Sequence, residues 1–224
     1  MKKIIVLSIV AGIVISTQAQ PVFGIFAGPQ STTAKYTVRG SKQSATSKYG
    51  FHLGGVMKVP FDNNLYFAPT AFYSLKGYKV KLKDKAFPPD TTAVDNNTSI
   101  HTFELALLLQ YDLSKHANHF FIKAGPSLDL QLSGKEKFNL KNGSSVDRQM
   151  KFSFGDYGHF GANMLLQFGY ETKQGFSISA MYGHGIGSIN NADYGPAIHH
   201  RVYSLTLGKY FVGKKLSIDT RNKE

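Results

Sequence analysis

Along residues 102–111, "TFELALLLQY", large apolar positions recur with a period of two. Phe103, Leu105, Leu107, Leu109 and Tyr111 fall on one side, and Thr102, Glu104, Ala106, Leu108 and Gln110 on the other. A strand sends successive side chains to opposite faces, whereas a helix would stack Glu104 against Leu107 and Leu108. The same pattern recurs along the chain. "FFIKAGPSLDLQL" sets Phe120, Ile122, Leu128, Leu130 and Leu132 against Lys123, Gly125, Ser127, Asp129 and Gln131. "HFGANMLLQFGY", "FSISAMY" and "RVYSLTLGKYF" repeat it, each with one large apolar face and one face of small or polar residues. The periodicity predicts eight strands, at about 21–30, 49–60, 65–78, 99–112, 119–133, 152–170, 176–187 and 200–211.

The connections alternate as regularly as the faces. "FDNN", "SKHANH" and "ETKQG" are short and rich in turn formers, while the stretches near 31–48, 79–98, 134–151 and 188–199 are long and polar. An up-and-down meander with one rim of tight turns and one of long loops is the layout of an outer-membrane barrel. The second face (Gly, Ser, Thr, Asn, Gln and a few charges) makes a poor soluble core but suits the filled, polar interior of a narrow membrane barrel. The expected fold is therefore all-β: an eight-stranded antiparallel up-and-down transmembrane β-barrel, monomeric, with its large apolar face towards lipid. A soluble lipocalin-like barrel holding an internal ligand is the alternative, and it requires the opposite assignment of faces. Ten strands can be drawn if the long loops extend as hairpins.

Composition leans the same way, with 22 glycines, 12 tyrosines and 17 phenylalanines, and no tryptophan. "MKKIIVLSIVAGIVISTQA" reads as a secretory signal peptide: two lysines, an apolar run too short to span a bilayer, and small residues Thr17 and Ala19 before a cleavage site. The expected organisation is a signal peptide over 1–19, a barrel over 20–211 and a basic tail over 212–224. With an even strand count both termini are expected on the tight-turn, periplasmic side. Cysteine is absent, which excludes disulfides and a lipidated N-terminal cysteine.

The net charge of +12 includes two lysines in the signal segment. Most of the remainder is expected on the long loops, carried by Lys35, Arg39, Lys42 and Lys48 on the first and by Lys135, Lys137, Lys141 and Arg148 on the third. Such loops would meet outer-membrane lipid headgroups or capture an anionic surface polysaccharide. An exported chain without a nucleic-acid motif is not expected to bind nucleic acid. Inside the barrel, Lys76, Glu104, Lys123 and Asp129 are expected to pair as a charge network that fixes strand register, with Glu104 across from Ser127. The eight histidines lack the carboxylate or cysteine company of a metal site and are expected at the surface or in the interfacial girdle. "GHGIG" has no helix after it and is not a nucleotide loop, and neither a catalytic triad nor a reactive thiol is present. No cofactor, no metal and no enzymatic activity are expected. A solute channel is disfavoured by the narrow lumen.

Several phrases carry a family resemblance. "LYFAPTAFYSLKGYKVKL", "FELALLLQYDL", "FFIKAGPSLDLQLSGKEKF", "DYGHFGANMLLQFGYE" and "RVYSLTLGKYF" resemble the PorT-type outer-membrane β-barrel domain. Lys76–Gly77, Glu104, Ala124–Gly125–Pro126, Asp156–Tyr157–Gly158 and Gly208–Lys209–Tyr210–Phe211 stand at the matching positions, while Ala106 replaces the family's usual proline. The resemblance implies the fold and location. For function it implies that a role in a protein-secretion assembly, through a periplasmic or secretion-system partner, stands beside the surface role.

Overall fold

The computed structural model describes residues 20–83, 92–193 and 195–211. The expected signal peptide and basic tail lie outside the described residues. Among the described residues there are ten strands: β1 (Val22–Val38), β2 (Ser41–Lys42), β3 (Ser44–Asp62), β4 (Leu65–Lys81), β5 (Ala93–Asp112), β6 (His119–Leu140), β7 (Ser145–Gln149), β8 (Phe160–Glu171), β9 (Phe176–Gly185) and β10 (Ala197–Phe211). Eight of them form a closed antiparallel ring in the order β1, β3, β4, β5, β6, β8, β9, β10, with β10 returning to pair with β1. The short β2 and β7 only extend β1 and β6 beyond one rim.

The turns at one rim are tight for local reasons. Asn63 joins β3 to β4 in the left-handed region, with φ of 41°, which asparagine tolerates. Between β8 and β9, Gly175 (φ 82°) lets its own N–H reach the Thr172 carbonyl at 2.8 Å, while the Phe176 N–H donates to the Thr172 hydroxyl at 3.1 Å. These turns define the turn end of the barrel, and the opposite rim is the loop end.

The faces follow the alternation in the sequence. Leu105, Leu107 and Leu109 are each at least half exposed on the outside, while Glu104 is 2% exposed and Gln110 fully buried inside. Together with Phe23, Ile122, Leu128, Leu166, Ile178 and Leu205 they make an apolar outer band on every side of the ring. On β5 this band runs from Phe103 to Tyr111, about the nine residues that a tilted strand needs to cross hydrocarbon. The soluble, lipocalin-like assignment of faces is thereby overturned. The band is flanked by rings. At the turn end stand Phe120, Phe168 and Tyr170, with Phe120 stacked on Phe168 at 5.7 Å. Towards the loop end stand Phe51, Tyr73 and His101, then Tyr182, His184 and Tyr203. Aromatic belts of this kind mark membrane–water interfaces.

Six strands run well past the belt, which corrects the expected boundaries. β1 continues to Val38, β3 begins at Ser44, β4 continues to Lys81, β5 begins at Ala93 and β10 at Ala197, and β6 continues to Leu140. β8 is the exception: it starts at Phe160, and residues 152–159 form an irregular crossing held by bridges of Tyr157 to Phe152 and Asn190. The extended portions read as polar loops because lysine and threonine dominate their outer positions. Their inner positions are mainly apolar, with Thr32, Asn96, Thr98 and Glu136 interspersed. Tyr36, Tyr78, Ile100, Phe138 and Ile198 are fully buried there, with Met150, Tyr157 and Ile189 packed in from the connections.

Candidate functional site

The described interior has three storeys of side chains. In the middle storey, Lys76 of β4 reaches between two carboxylates, its ammonium 2.9 Å from Glu104 Oε2 and 2.7 Å from Asp129 Oδ2. Ser127 Oγ donates to Glu104 Oε1, and Asn163 Nδ2 approaches the same oxygen at 3.4 Å. Register explains the grouping. Glu104 on β5 lies directly opposite Asp129 on β6, and Ser127 opposite Ala106. The expected pairing of Glu104 with Ser127 is thus two residues out of step. A shift of two keeps every side chain on its face, so hydrophobic pattern alone does not expose it. Two carboxylates directly opposite would repel, and the lysine between them makes the arrangement tenable.

Lys123, expected in the same network, stands elsewhere. Its ammonium donates to the Tyr210 hydroxyl at 2.8 Å and lies 4.9 Å from the Phe121 ring, with no carboxylate at ion-pair distance among the described residues. It belongs to the turn-end storey, which sequence reasoning missed. There Lys58 bonds Asp112 at 2.8 Å and Glu171 at 3.0 Å, with His119 Nε2 3.1 Å from Asp112 and the Tyr66 ring 4.4 Å from the ammonium. Each residue is the last inward position of its strand. Continuing the alternation by one step, from Val56 to Lys58, Gln110 to Asp112 and Gly169 to Glu171, finds them.

The loop-end storey is mainly apolar, with Gln43, Asn96 and Thr98 buried in it beside one acid. Glu136 accepts from Arg148 Nε at 2.9 Å, from the Tyr157 hydroxyl and from Asn96 at 3.3 Å. Burial pushes the Tyr157 hydroxyl well above the ordinary tyrosine range, and the neighbouring Tyr78 and Glu136 add to that shift. Burial lowers the Arg148 guanidinium, but the Glu136 carboxylate outweighs it and leaves the group raised. Of the expected surface histidines, His52 and His200 are instead buried inside, with His52 2.9 Å from Thr206 Oγ1. Burying a neutral ring next to a hydroxyl satisfies one nitrogen and fills lumen volume. His101 and His184 do stand in the belt.

Two small interior cavities have volumes of about 30 Å³, beside Lys123 and Tyr210, and about 10 Å³, beside Lys76 and Glu104. Each is the size of one or two waters. No group of three or more histidine, cysteine or acidic side chains is placed to hold a metal ion among the described residues.

The basic residues expected on loops sit mainly on strands. Lys35 is on β1, Lys42 on β2, Lys48 on β3, Lys135 and Lys137 on β6, and Arg148 on β7. Only Arg39 and Lys141 occupy turns, Arg39 with φ of 46° followed by Gly40 at 79°, the pair of left-handed residues that a tight hairpin needs. Lys79, Lys81, Lys135 and Lys137 are exposed on the outer wall just beyond the aromatic belt. Arg148 does not share that wall's freedom, because its charge is spent on Glu136. The charge layout is therefore two-sided. Inside, all but Lys123 pair with opposite charge, and outside, lysines accumulate at the loop end without carboxylate partners at ion-pair distance among the described residues.

A search of curated proteins finds no match. Among solved structures, the chain is similar to Ail, the attachment invasion locus protein of Yersinia pestis, solved in complex with the heparin analogue sucrose octasulfate. That likeness has 14% identity, covers 86% of this chain and 99% of that one, and has a TM-score of 0.45. It is also similar to OprG from Pseudomonas aeruginosa, with 15% identity, 87% and 98% coverage and a TM-score of 0.45. Neisserial surface protein A matches at 16% identity, 84% and 97% coverage and a TM-score of 0.42. The outer membrane protein beta-barrel domain family matches residues 18–191. A closed eight-stranded ring with a lipid-compatible outer band and a match over most of the chain make this an integral outer-membrane protein, and the chain belongs to the outer membrane protein beta-barrel domain family.

Proposed function

We propose that the barrel is a non-enzymatic surface protein. Its turn end, with both termini, faces the periplasm, and its loop end stands outside the cell. Its basic wall contacts outer-leaflet lipid or an anionic surface polysaccharide. The observation that carries this reading is the placement of unpaired lysines on the outer wall beyond the aromatic belt, opposite an apolar interior that leaves them no inward role. Charge concentrated on one exposed zone attracts an anionic partner and leaves the fold to other forces.

Because the chain has no cysteine, a single introduced one reports orientation. Asn139→Cys, at the loop end, should react with a membrane-impermeant maleimide on intact cells, and Asn118→Cys, in a turn, should react only after the outer membrane is breached. The reverse pattern would overturn the orientation.

The PorT-type resemblance supports a second reading, a component of a protein-secretion assembly. The matching residues have structural work of their own, however: Lys76 and Glu104 pair, and Gly125 lies so close to β5 that an added Cβ would sit 2.1 Å from the Leu107 carbonyl oxygen. They account for a shared barrel equally well without a shared partner. Deleting residues 212–224 separates the readings, since lost secretion with normal barrel insertion favours the assembly role and unchanged secretion favours the surface role.

A further inference from the structure

On the outer wall between β3 and β7 lies a groove of about 440 Å³, lined by Lys48, Ser99, Lys135, Lys137, Asp147 and Gln149 among others. Its floor exists because Gly77 has no side chain. A Cβ at that position would lie 2.6 Å from the Thr98 carbonyl oxygen and 3.2 Å from Lys48 Cδ. Lys48 therefore lies flat across β4 and delivers its ammonium to β5, where it donates to Asn97 Oδ1 at 2.7 Å, Ser99 Oγ at 2.6 Å and the Thr98 carbonyl at 3.1 Å. All three acceptors are neutral, so the charge is held in place without being cancelled. On the neighbouring strand Lys135 and Lys137 project from alternate outward positions, and neither makes an ion pair among the described residues. Two carboxylates also line the groove: Asp147, paired in register with Lys137, and Glu136, which is buried and occupied by Arg148, Tyr157 and Asn96.

The height of the groove is set by its neighbours. Lys135 follows the last outward apolar residue of β6, Leu132, across the irregularity at Ser133, and Ser99 is two residues beyond the belt residue His101. Side chains at this level stand in the headgroup layer, where hydrocarbon ends. A surface of this kind, facing sideways out of the ring, meets lipid before it meets anything arriving from solution.

We infer that the Lys48–Lys135–Lys137 groove is a docking site for the phosphorylated headgroup of a membrane glycolipid. A phosphate fits the chemistry: a compact dianion with strong acceptor oxygens, received by the flexible ammonium groups of Lys135 and Lys137 and by hydroxyl and amide donors from Ser99 and Gln149, beside the fixed charge of Lys48. The site deepens the surface role proposed above and rests on its orientation, which cysteine labelling tests separately.

The experiment measures binding of a diphosphorylated glucosamine-based lipid to the full-length barrel in nanodiscs of neutral lipid. The wild type, Lys48→Gln/Lys135→Gln/Lys137→Gln, and Lys115→Gln/Lys173→Gln as a control in the connections of the turn end are compared. The groove variant is expected to bind roughly a hundredfold more weakly, from the contribution of three lysines beside anionic headgroups, and the control as tightly as the wild type. The dephosphorylated lipid should bind the wild type no better than the groove variant binds the phosphorylated one. Equal affinity of wild type and groove variant, or indifference to the lipid's phosphates, would overturn the site. Full competition by inorganic phosphate or a sulfated disaccharide would overturn the lipid as its source and assign the groove to soluble anions. Should the triple variant lose the compact unboiled band on a gel, Lys137→Gln alone, expected to weaken binding several-fold, carries the same decision.

Discussion

The two halves of the barrel solve opposite solvent problems with the same ring of strands. Within the membrane band, leucine and phenylalanine face out and ions face in, whereas beyond the aromatic belt lysines face out and Tyr36, Tyr78, Ile100 and Phe138 face in. On β6 the change happens within one strand, at an irregularity of register opposite His101 and Thr102. The lesson is that "inside" has no fixed polarity. Each half puts its apolar face where water is not, lipid below and core above.

The largest effect expected from breaking this comparison is in the ionic half. Lys76→Met leaves Glu104 and Asp129 facing each other without a cation and should cost about 3–5 kcal/mol, read as a lower urea midpoint for loss of the fast-migrating unboiled band. Lys76→Met combined with Glu104→Gln and Asp129→Asn should recover most of the loss. If the triple variant is no better than the single, the storey holds by packing and not by charge. Next is a matched pair on the outer wall of β5. Leu107→Arg, in the middle of the band, should cost roughly 2–4 kcal/mol, and Val94→Arg, exposed on the same strand beyond the belt, close to nothing. Equal costs would mean the band does not end where the belt stands.

In the apolar half, Tyr157→Phe removes one donor to Glu136 and should cost about 1–3 kcal/mol, with increased protease cutting at residues 150–159 before the ring itself opens. The same residue sharpens the contrast with pH. Its folded proton is held well above the ordinary tyrosine range, near 10. Below that range both states carry the proton and its contribution is constant. As pH rises above it, the unfolded chain releases the proton first and stability falls. Tyr157→Phe should therefore flatten the alkaline slope, and an unchanged slope would show that Tyr157 is not held protonated. Smallest of all, Lys137→Gln should change stability by less than about 0.5 kcal/mol, which separates the wall's role in binding from any role in holding the fold.

The faces of the membrane band were legible in the sequence because alternation survives wherever one side is uniformly large and apolar, as from Phe103 to Tyr111. The strand ends were not, because beyond the belt Lys79, Lys81, Lys135 and Lys137 make a strand look like a polar loop even as Tyr78, Val80 and Phe138 keep the alternation beneath. The mid-lumen ions were legible as residues but not as a geometry. Glu104 and Asp129 required the register, and Lys123 reaches Tyr210 of β10, a strand that is not its neighbour in the ring. The turn-end cluster of Lys58, Asp112, His119 and Glu171 was hidden for another reason: the first three lay inside the expected strands and Glu171 one residue beyond, but they stand on four strands, β3, β5, β6 and β8, that meet at this point only when the ring closes.

The ring closes along a seam between β1 and β10, from Phe23 opposite Phe211 to Thr37 opposite Ala197. The two strands come from opposite ends of the described chain, so no shorter piece contains both sides of the seam. Until they meet, each is a bare sheet edge, and hydrocarbon has no partner for its N–H and C=O groups. Closure across so long an intervening chain is also the slowest kind of contact to make. Entry into the membrane is therefore tied to the presence of β10: a chain that still lacks it cannot close the ring. Whatever holds such a chain in the meantime must shield both edges at once.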